Sequence, residues 1–568
     1  MNKVFTLRHA LLCGAVSAAL AGSALAVTPM IATGGGHSMA LRSDGTVRTW
    51  GWNNSGQLGD GSFQNRTVPG GISAFAGISQ IAAGGDHSLA IAEDGNLYLW
   101  GDNSFGQLGN TPQAPGRPQQ VWSLNGVTAA SAGWFHTVAV RHDGTVWSWG
   151  LNDRGQLGDQ QSALKNQPTP VQVPNFYGAI AAAAGLNFTL ILKRDGSVWA
   201  WGDGSRGQLG VVYGMSASAA TQAATLQTQI TTLQGQIAAE TDPTKLATLQ
   251  AQLATAQAAL SKLNTTAANF SYNRTIVLGG ACGTKETTLY SDICTEWPNQ
   301  VHFDNGEPLT NIVQIAAGGY HALALDTAGQ VWSWGWNHKG QLGRPEVSQA
   351  DTDTPAKVTF SEAPGRVISI AAGEYHSAVL FDDGSVWAWG YNVKGDLGDG
   401  TYTDRSNPRP VLAGNAADSP PLKGVAQIAT HAGEHTLALK TDGSLVSWGS
   451  NFWGQLGLGY TSFAQNSPIL VKGEGGIDKL KLGTPDTSAM DSSARLFGWA
   501  ERVYASYFPG AKSKTESWGG YKYRKYANGA YLGTKDGRLF YVDPQAAGDV
   551  KDLGLIDSWL QQAVSAGY

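Results

Sequence analysis

The chain has 568 residues, of which 74 are Gly and 20 are Trp, while only 14% are charged. That length can hold a large core, and the composition suits short strands, tight turns and aromatic packing while excluding an intrinsically disordered chain. The net charge of -5 argues against electrostatic binding of nucleic acid.

The N-terminus, Met1 to Ala26, has a basic start, an apolar stretch from Ala10 to Leu20 and a small-residue end, Ala24-Leu25-Ala26. This pattern predicts a secretory signal peptide cut after Ala26, and so export to the periplasm, cell surface or medium. Loss of Lys3 and Arg8 with it leaves a net charge of -7. The apolar run is short for an anchor, Leu12 before Cys13 argues against a lipoprotein, and no span of the mature chain is apolar enough to cross a bilayer.

From about residue 30 a pattern recurs seven times. A small-residue run ending in Gly leads to a His: His37, His87, His136, His321, His376 and His435, with Phe188 in the fourth copy. Seven residues later stands an Asp-Gly pair (Ala328-Gly329 in the fifth copy), read as the type I′ turn of a hairpin. Thirteen residues after the His comes a Trp-Gly pair, at Trp50, Trp100, Trp149, Trp201, Trp334, Trp389 and Trp448. Six residues further begins GQLG, replaced in the sixth copy by GDLG from Gly395. A run such as Ile78–Ala83 predicts a strand before the His, and one such as Pro170–Val173 predicts a fourth strand after GQLG. Four strands repeated seven times give an all-β fold, a seven-bladed β-propeller.

These spacings resemble the regulator of chromosome condensation repeat family over about residues 30–210 and 310–483. The resemblance implies a ring closed between first and last copies, here by Ile477–Leu482 beside Met30–Thr33. The family's founding member exchanges guanine nucleotide on a nuclear GTPase. The predicted signal peptide and the lack of a β-wedge insertion in the early blades argue against carrying that activity over. The family's plant ultraviolet-B photoreceptors use a Gly-Trp-Arg-His-Thr series, which only Gly133-Trp134-Phe135-His136-Thr137 approaches. A secreted bacterial inhibitor of β-lactamases with this fold grips its partner with one face.

One His per blade keeps the histidines a blade apart, whereas metal ligands must converge, and Phe188 shows that an apolar side chain serves there. The repeated His, Trp and GQLG residues are therefore read as framework, with no catalytic residue, metal or cofactor assigned. The copies differ beside those fixed residues. Two residues after the Trp stand Trp52, Trp336 and Tyr391. Just before GQLG stand Phe105, Arg154, Arg206 and Trp453, and beside the His stand Trp134, Phe135, Tyr320 and Tyr375. Aromatic and Arg side chains on loops are typical binding anchors, so these eleven are the candidate binding residues.

The interval between Trp201 and Trp334 is 133 residues, which places an insertion at 211–309 between blades 1–4 (27–210) and blades 5–7 (310–483). Within 216–264 the spacing of Leu226, Ile230, Leu233 and Ile237, and of Leu246, Leu249, Leu253, Ala256, Leu260 and Leu263, predicts two helices broken at Thr241-Asp242-Pro243. This antiparallel hairpin either spaces or mediates self-association. Residues 270–308 read as a loop stapled by a Cys282–Cys294 disulfide, the default for two cysteines in an oxidising compartment. Residues 484–568 read as a small α+β module: a helix at Ala494–Ser506, strands around Trp518–Tyr526, Ala530–Thr534 and Arg538–Val542, and a helix at Ile556–Val564.

The resulting expectation is an exported, non-catalytic scaffold for an unidentified protein or surface ligand. The alternatives are a self-assembling envelope or matrix component and an enzyme with a site in the central channel.

Overall fold

The computed structural model describes residues 27–109, 116–160, 164–211, 217–272, 294–347, 350–416 and 418–483, and, as backbone, the strands Glu516–Trp518, Tyr521–Lys525, Tyr531–Lys535, Arg538–Val542 and Val550–Asp552. The expected signal peptide, Cys282 and the two helices expected at 494–506 and 556–564 lie outside these residues. Seven four-stranded antiparallel sheets form the blades of a propeller. Blade 1 runs outward through Met30–Thr33, His37–Leu41, Val47–Gly51 and Arg66–Gly71. The innermost strands of consecutive blades are neighbours, and that of blade 7 (Val425–Ala429) lies beside that of blade 1.

The repeated residues build each blade and lock it to the next. Every repeat Trp is fully buried. Its indole N–H donates to a backbone carbonyl of the preceding blade's GQLG: Trp100 to Gln57 O at 2.9 Å, Trp149 to Gln107 O at 2.8 Å, Trp50 to Gln455 O at 2.7 Å. The Gly after each Trp has φ near 105°, and at Gly51 (φ 103°) a Cβ would stand 2.5 Å from the Gly36 carbonyl oxygen. The last Gly of GQLG lies against the next blade's indole; at Gly59 a Cβ would fall 2.7 Å from Trp100 Nε1. The repeat is thus an interblade clasp in which only Gly fits at two positions.

The hairpin turns differ from the expected type I′. Gly45 has φ 73°, but Asp44 does not take positive φ. Gly45 N–H bonds to Arg42 O at 2.9 Å and Asp44 Oδ1 accepts the Thr46 N–H at 3.0 Å. This is a wider turn with one left-handed Gly, and its Asp caps the loop. In the fifth copy Asp326 takes over that duty, its Oδ1 accepting the Gln330 N–H at 2.9 Å and also the Ala328 N–H at 2.8 Å.

Leu480 and Leu482 close the ring. They pack in one cluster with Ile31, Ala40 and Trp50 of blade 1 and with Leu437 and Leu445 of blade 7. Leu482 bonds both ways, its N–H to Gly443 O at 3.0 Å and its carbonyl to Ser43 N–H at 2.8 Å. Ile477, the expected start of this closing segment, is 72% exposed.

The helical hairpin forms from α1 (Ala217–Ala239) and α2 (Pro243–Tyr272), with Asp242 Oδ1 accepting the Thr244 N–H at 2.8 Å as the cap of α2. Ile230, Leu233 and Ala256 are buried in its seam, flanked by Leu226, Leu249, Leu253 and Leu260. Its place differs from a blade junction. It lies inside blade 4, between the third strand, Val198–Asp203, and the outer strand, Cys294–Gln300. Residues 294–309 are therefore propeller, with Val301 and Leu309 in the core beside Trp334. The C-terminal strands form one five-stranded antiparallel sheet in chain order, with Tyr531–Lys535 and Arg538–Val542 paired across Asp536-Gly537.

Candidate functional site: the variable rim of one propeller face

In a four-stranded meander the loops after strands 1 and 3 lie at one end and the loop after strand 2 at the other. The residues beside the His, those two after the Trp and those before GQLG therefore share one face, while the Asp-Gly turns lie on the opposite one. The structure joins the variable side chains into arcs around that face. Trp52 stacks on Trp453 with ring centroids 5.3 Å apart. Phe105 packs on Phe135 at 5.1 Å, and Phe135 on Trp134 at 6.0 Å. A third arc runs Tyr320–Trp336–Tyr375–Tyr391, with steps of 5.9, 5.2 and 6.0 Å. Arg206 pairs with Asp351 at 3.5 Å, and the charge of Arg154 acts on Asp203 and Tyr320. The indole N–H groups of Trp52, Trp134 and Trp336 have no acceptor among the described residues.

The same rim carries half-buried carboxylates that sequence reading passed over. Burial, reinforced by the charge of Asp102, raises Asp86 to about 6. Burial raises Glu374 to about 7, with the charge of Glu434 adding to the rise. Glu434 and the fully buried Asp396 are also raised, first by burial. Their signal was available: Glu374 replaces a Gly found two residues before the His in most copies, and Asp396 replaces the Gln of GQLG.

The repeat histidines form no site. Each ring of an ordinary junction reaches the hydroxyl that follows the next blade's His position: His37 to Ser88 at 2.8 Å, His87 to Thr137 at 3.0 Å, His136 to Thr189 at 3.1 Å, His321 to Ser377 at 2.9 Å, His435 to Ser38 at 2.8 Å. Those hydroxyls donate in turn to the same Gln carbonyls that hold the Trp residues. Each hydroxyl must then accept from His Nε2–H, which fixes a neutral tautomer. Burial agrees, pushing His37, His136, His321 and His435 down to about 3. The sixth ring, His376, lies 3.0 Å from Thr436.

A further histidine escaped the sequence reading. Copy 7 has one residue more than copy 2 between its inner-strand Ile and its His (Ile428 to His435 against Ile81 to His87). The excess makes a bulge with Ala432 at φ 52° and sends His431 across the channel. Its Nε2 lies 2.7 Å from Ala132 O of blade 3 and its Nδ1 3.2 Å from Ala317 O of blade 5. Burial lowers its pKa against the pull of both carbonyls, so the neutral ring donates to one of them and its imidazole is engaged by backbone. Among the described residues no group of three or more His, Cys, Asp or Glu is placed to hold a metal ion, and no helix is long and apolar enough to cross a membrane.

Family models match along most of the propeller. The RCC1-like domain matches residues 20–237, and the regulator of chromosome condensation (RCC1) repeat matches 328–380, 383–439 and 442–481. Among curated relatives, the probable E3 ubiquitin-protein ligase HERC3 of Homo sapiens is 37% identical over 177 residues, which is 31% of this chain and 16% of the relative. Protein pim1 of Schizosaccharomyces pombe is 28% identical over 265 residues, 42% of this chain and 47% of that protein. The chain thus spans less than half the length of these relatives. Among solved structures, Prp20p of Saccharomyces cerevisiae aligns with a TM-score of 0.52 at 20% identity, over 80% of this chain and 87% of that one. Yeast RCC1 (Prp20) bound to Kap60 aligns with a TM-score of 0.54 at 20% identity, over 83% and 91%. At that identity the likeness is one of fold.

Proposed function

We propose that this chain, which belongs to the regulator of chromosome condensation repeat family, is an exported, non-catalytic scaffold that binds a protein or cell-surface ligand through the variable rim of one propeller face. One observation carries the reading. The residues repeated from blade to blade are engaged in holding blades together, whereas the residues that vary gather into the Tyr320–Trp336–Tyr375–Tyr391 and Trp52–Trp453 arcs. Clustered aromatics supply large contact area at low entropic cost, which is what binding anchors do. The structural neighbours support a protein partner: Prp20p has binding properties to Gsp1p and histones, and yeast RCC1 (Prp20) is bound to Kap60. The exchange and ligase activities of relatives are not carried to this chain, because a shared propeller is a scaffold on which different sites are built. Export rests on the leader ending at Ala26, and an oxidising compartment goes with the Cys282–Cys294 bridge. Intact-mass measurement of the secreted protein tests both, with a start at Val27 and the loss of two hydrogens expected.

The function is tested by affinity capture from secreted and envelope fractions. A Trp336→Ala/Tyr391→Ala/Trp453→Ala variant should keep its Tm within a few degrees and lose the captured ligand. Capture unchanged in that variant would defeat the proposal.

A further inference from the structure

Six copies carry Gln as the second residue of GQLG, and the sixth carries Asp396. The Gln has two duties. Its Oε1 accepts the amide N–H two residues earlier, as Gln57 does from Ser55 at 2.9 Å. In every copy but the fifth, where Gln341 Nε2 has no partner among the described residues, its Nε2 donates to a polar group of the face: Gln57 to Asp86 of the next blade at 3.4 Å, Gln107 to Asp102 at 2.6 Å, Gln208 to Asp203 at 3.0 Å. Asp396 keeps the first duty, its Oδ2 accepting the Lys394 N–H at 3.2 Å. As a carboxylate it has no hydrogen with which to perform the second, and burial together with the charge of Glu434 raises its pKa, so the pair calls for a shared proton or a cation. Its Oδ1 is buried and has no partner among the described residues. The next-blade residue equivalent to Asp86 is Glu434, and its charge acts on Asp396. Where blade 1 offers a donor to a carboxylate, blade 6 therefore offers a second carboxylate.

Glu374 adds a third beside Glu434: its N–H bonds to Gly433 O at 3.2 Å, and the charge of Glu434 acts on it. The Lys394 field reaches both Asp396 and Glu434, but its ammonium lies over the Phe452 and Phe463 rings, 4.5 and 3.8 Å from their centroids. On this face the loops of blades 6, 7 and 1 expose Tyr402, Phe452, Trp453, Tyr460, Phe463 and Phe63, each more than 40% open to solvent, and Tyr375 and Tyr391 lie within the field of Glu374 and Glu434. Three neighbouring carboxylates, of which Glu374 accepts from the Tyr375 hydroxyl, complement an organic cation: a guanidinium or ammonium supplies further hydrogens and stacks on the rings. The acids do not converge as metal ligands do.

We propose that the sector formed by blades 6, 7 and 1 takes an arginine- or lysine-bearing segment of a partner protein, its cation seated at Glu374 and Glu434 above Asp396 and flanked by Tyr375 and Tyr391. This rests on the reading of the rim as the binding face, and names what that face selects. Asp396 acts from beneath as a positioning residue, and the two glutamates meet the ligand.

The test is calorimetric titration of the full chain at low salt with a capped peptide of alternating Arg and Gly, and with the same peptide carrying citrulline for Arg. Saturable binding is expected for the Arg peptide, with at least a tenfold loss for citrulline. Asp396→Gln, which installs the residue of the other six copies and so folds, should weaken the Arg peptide at least tenfold, and Glu434→Gln should do the same. Equal binding of the two peptides, or an Asp396→Gln protein that binds as the parent does, would overturn the inference. The face itself is judged separately. A ligand lost by the Trp336/Tyr391/Trp453 variant but retained by Asp396→Gln would sink the cation site and leave the face standing, and a ligand retained by both variants would sink both.

Discussion

Two junctions of the propeller do the same work with opposite chemistry. Between blades 3 and 4, His136 reaches Thr189 at 3.1 Å, and Thr189 donates to Gln156 O at 2.9 Å. Between blades 4 and 5, Phe188 stands in the His position and Ala322 in the hydroxyl position, and both lie in one apolar cluster with Trp334. Both partners have changed together, so neither junction sets a polar group against an apolar one. The comparison shows that the frame needs a matched pair at this place rather than a histidine. A ring of imidazoles that resembles an active site is a set of interchangeable struts.

The largest expected effect tests whether the two junctions share one frame. Trp201→Ala and Trp334→Ala should each cost about 3–5 kcal/mol, because each removes a fully buried indole and its hydrogen bond to a Gln carbonyl, at Gln156 or Gln208. Chemical denaturation should find the two losses equal within about 1 kcal/mol, and a larger gap would separate the junctions.

Mixing the two chemistries comes next. Phe188→His alone places an imidazole N–H against Ala322 and should cost about 2–3 kcal/mol. Adding Ala322→Ser should restore at least about 1 kcal/mol, read as the coupling term of a double-mutant cycle. Additive losses would mean that the hydroxyl is not the partner.

Acid should distinguish the junctions as well. His136 is held at about 3 when folded, against 6.5 as its ordinary value. Its contribution is complete above pH 6.5 and is lost as pH falls toward 3, because the unfolded chain takes up the proton first. Each such histidine adds about 1.4 kcal/mol per pH unit to the slope of stability in that window. A His136→Phe/Thr189→Ala protein, which copies the Phe188–Ala322 junction, should show a shallower fall of stability between pH 6 and 4. A slope unchanged from the parent would contradict the neutral assignment.

The smallest effect belongs to the hairpin. Its seam of Ile230, Leu233 and Ala256 is satisfied within itself. Deleting residues 216–264 should leave the Tm of the propeller within about 2 °C and the oligomeric state unchanged by light scattering. An oligomer lost on deletion would favour the self-assembly reading.

The sequence alone carried the blades because Trp, His and the glycines recur in register, and the Trp and glycines are fixed by contacts only those residues make. The site was partly legible. The aromatic positions could be read by aligning copies, and the structure brings them into arcs. Asp396, Glu374 and His431 are departures from the repeat that a copy-by-copy comparison holds in plain view, yet their meaning needs the neighbouring blade, since Asp396 matters only opposite Glu434. The outer strand of blade 4, Cys294–Gln300, was hidden for another reason. Outer strands pair on one side only and tolerate Pro and polar residues, so they have little periodicity, and here a helical hairpin precedes the strand. The turn type was misread because Asp-Gly serves more than one hairpin geometry, and only the φ of Asp44 separates them.

The central claim is that repeated residues hold the ring and variable residues meet the ligand. Affinity capture with three proteins side by side tests it most directly: the parent, the Trp336→Ala/Tyr391→Ala/Trp453→Ala variant, and the His136→Phe/Thr189→Ala variant. The account predicts that the junction variant captures what the parent captures and that the face variant does not, with all three folded by circular dichroism. A ligand kept by the face variant and lost by the junction variant would place function in the repeat and contradict the account.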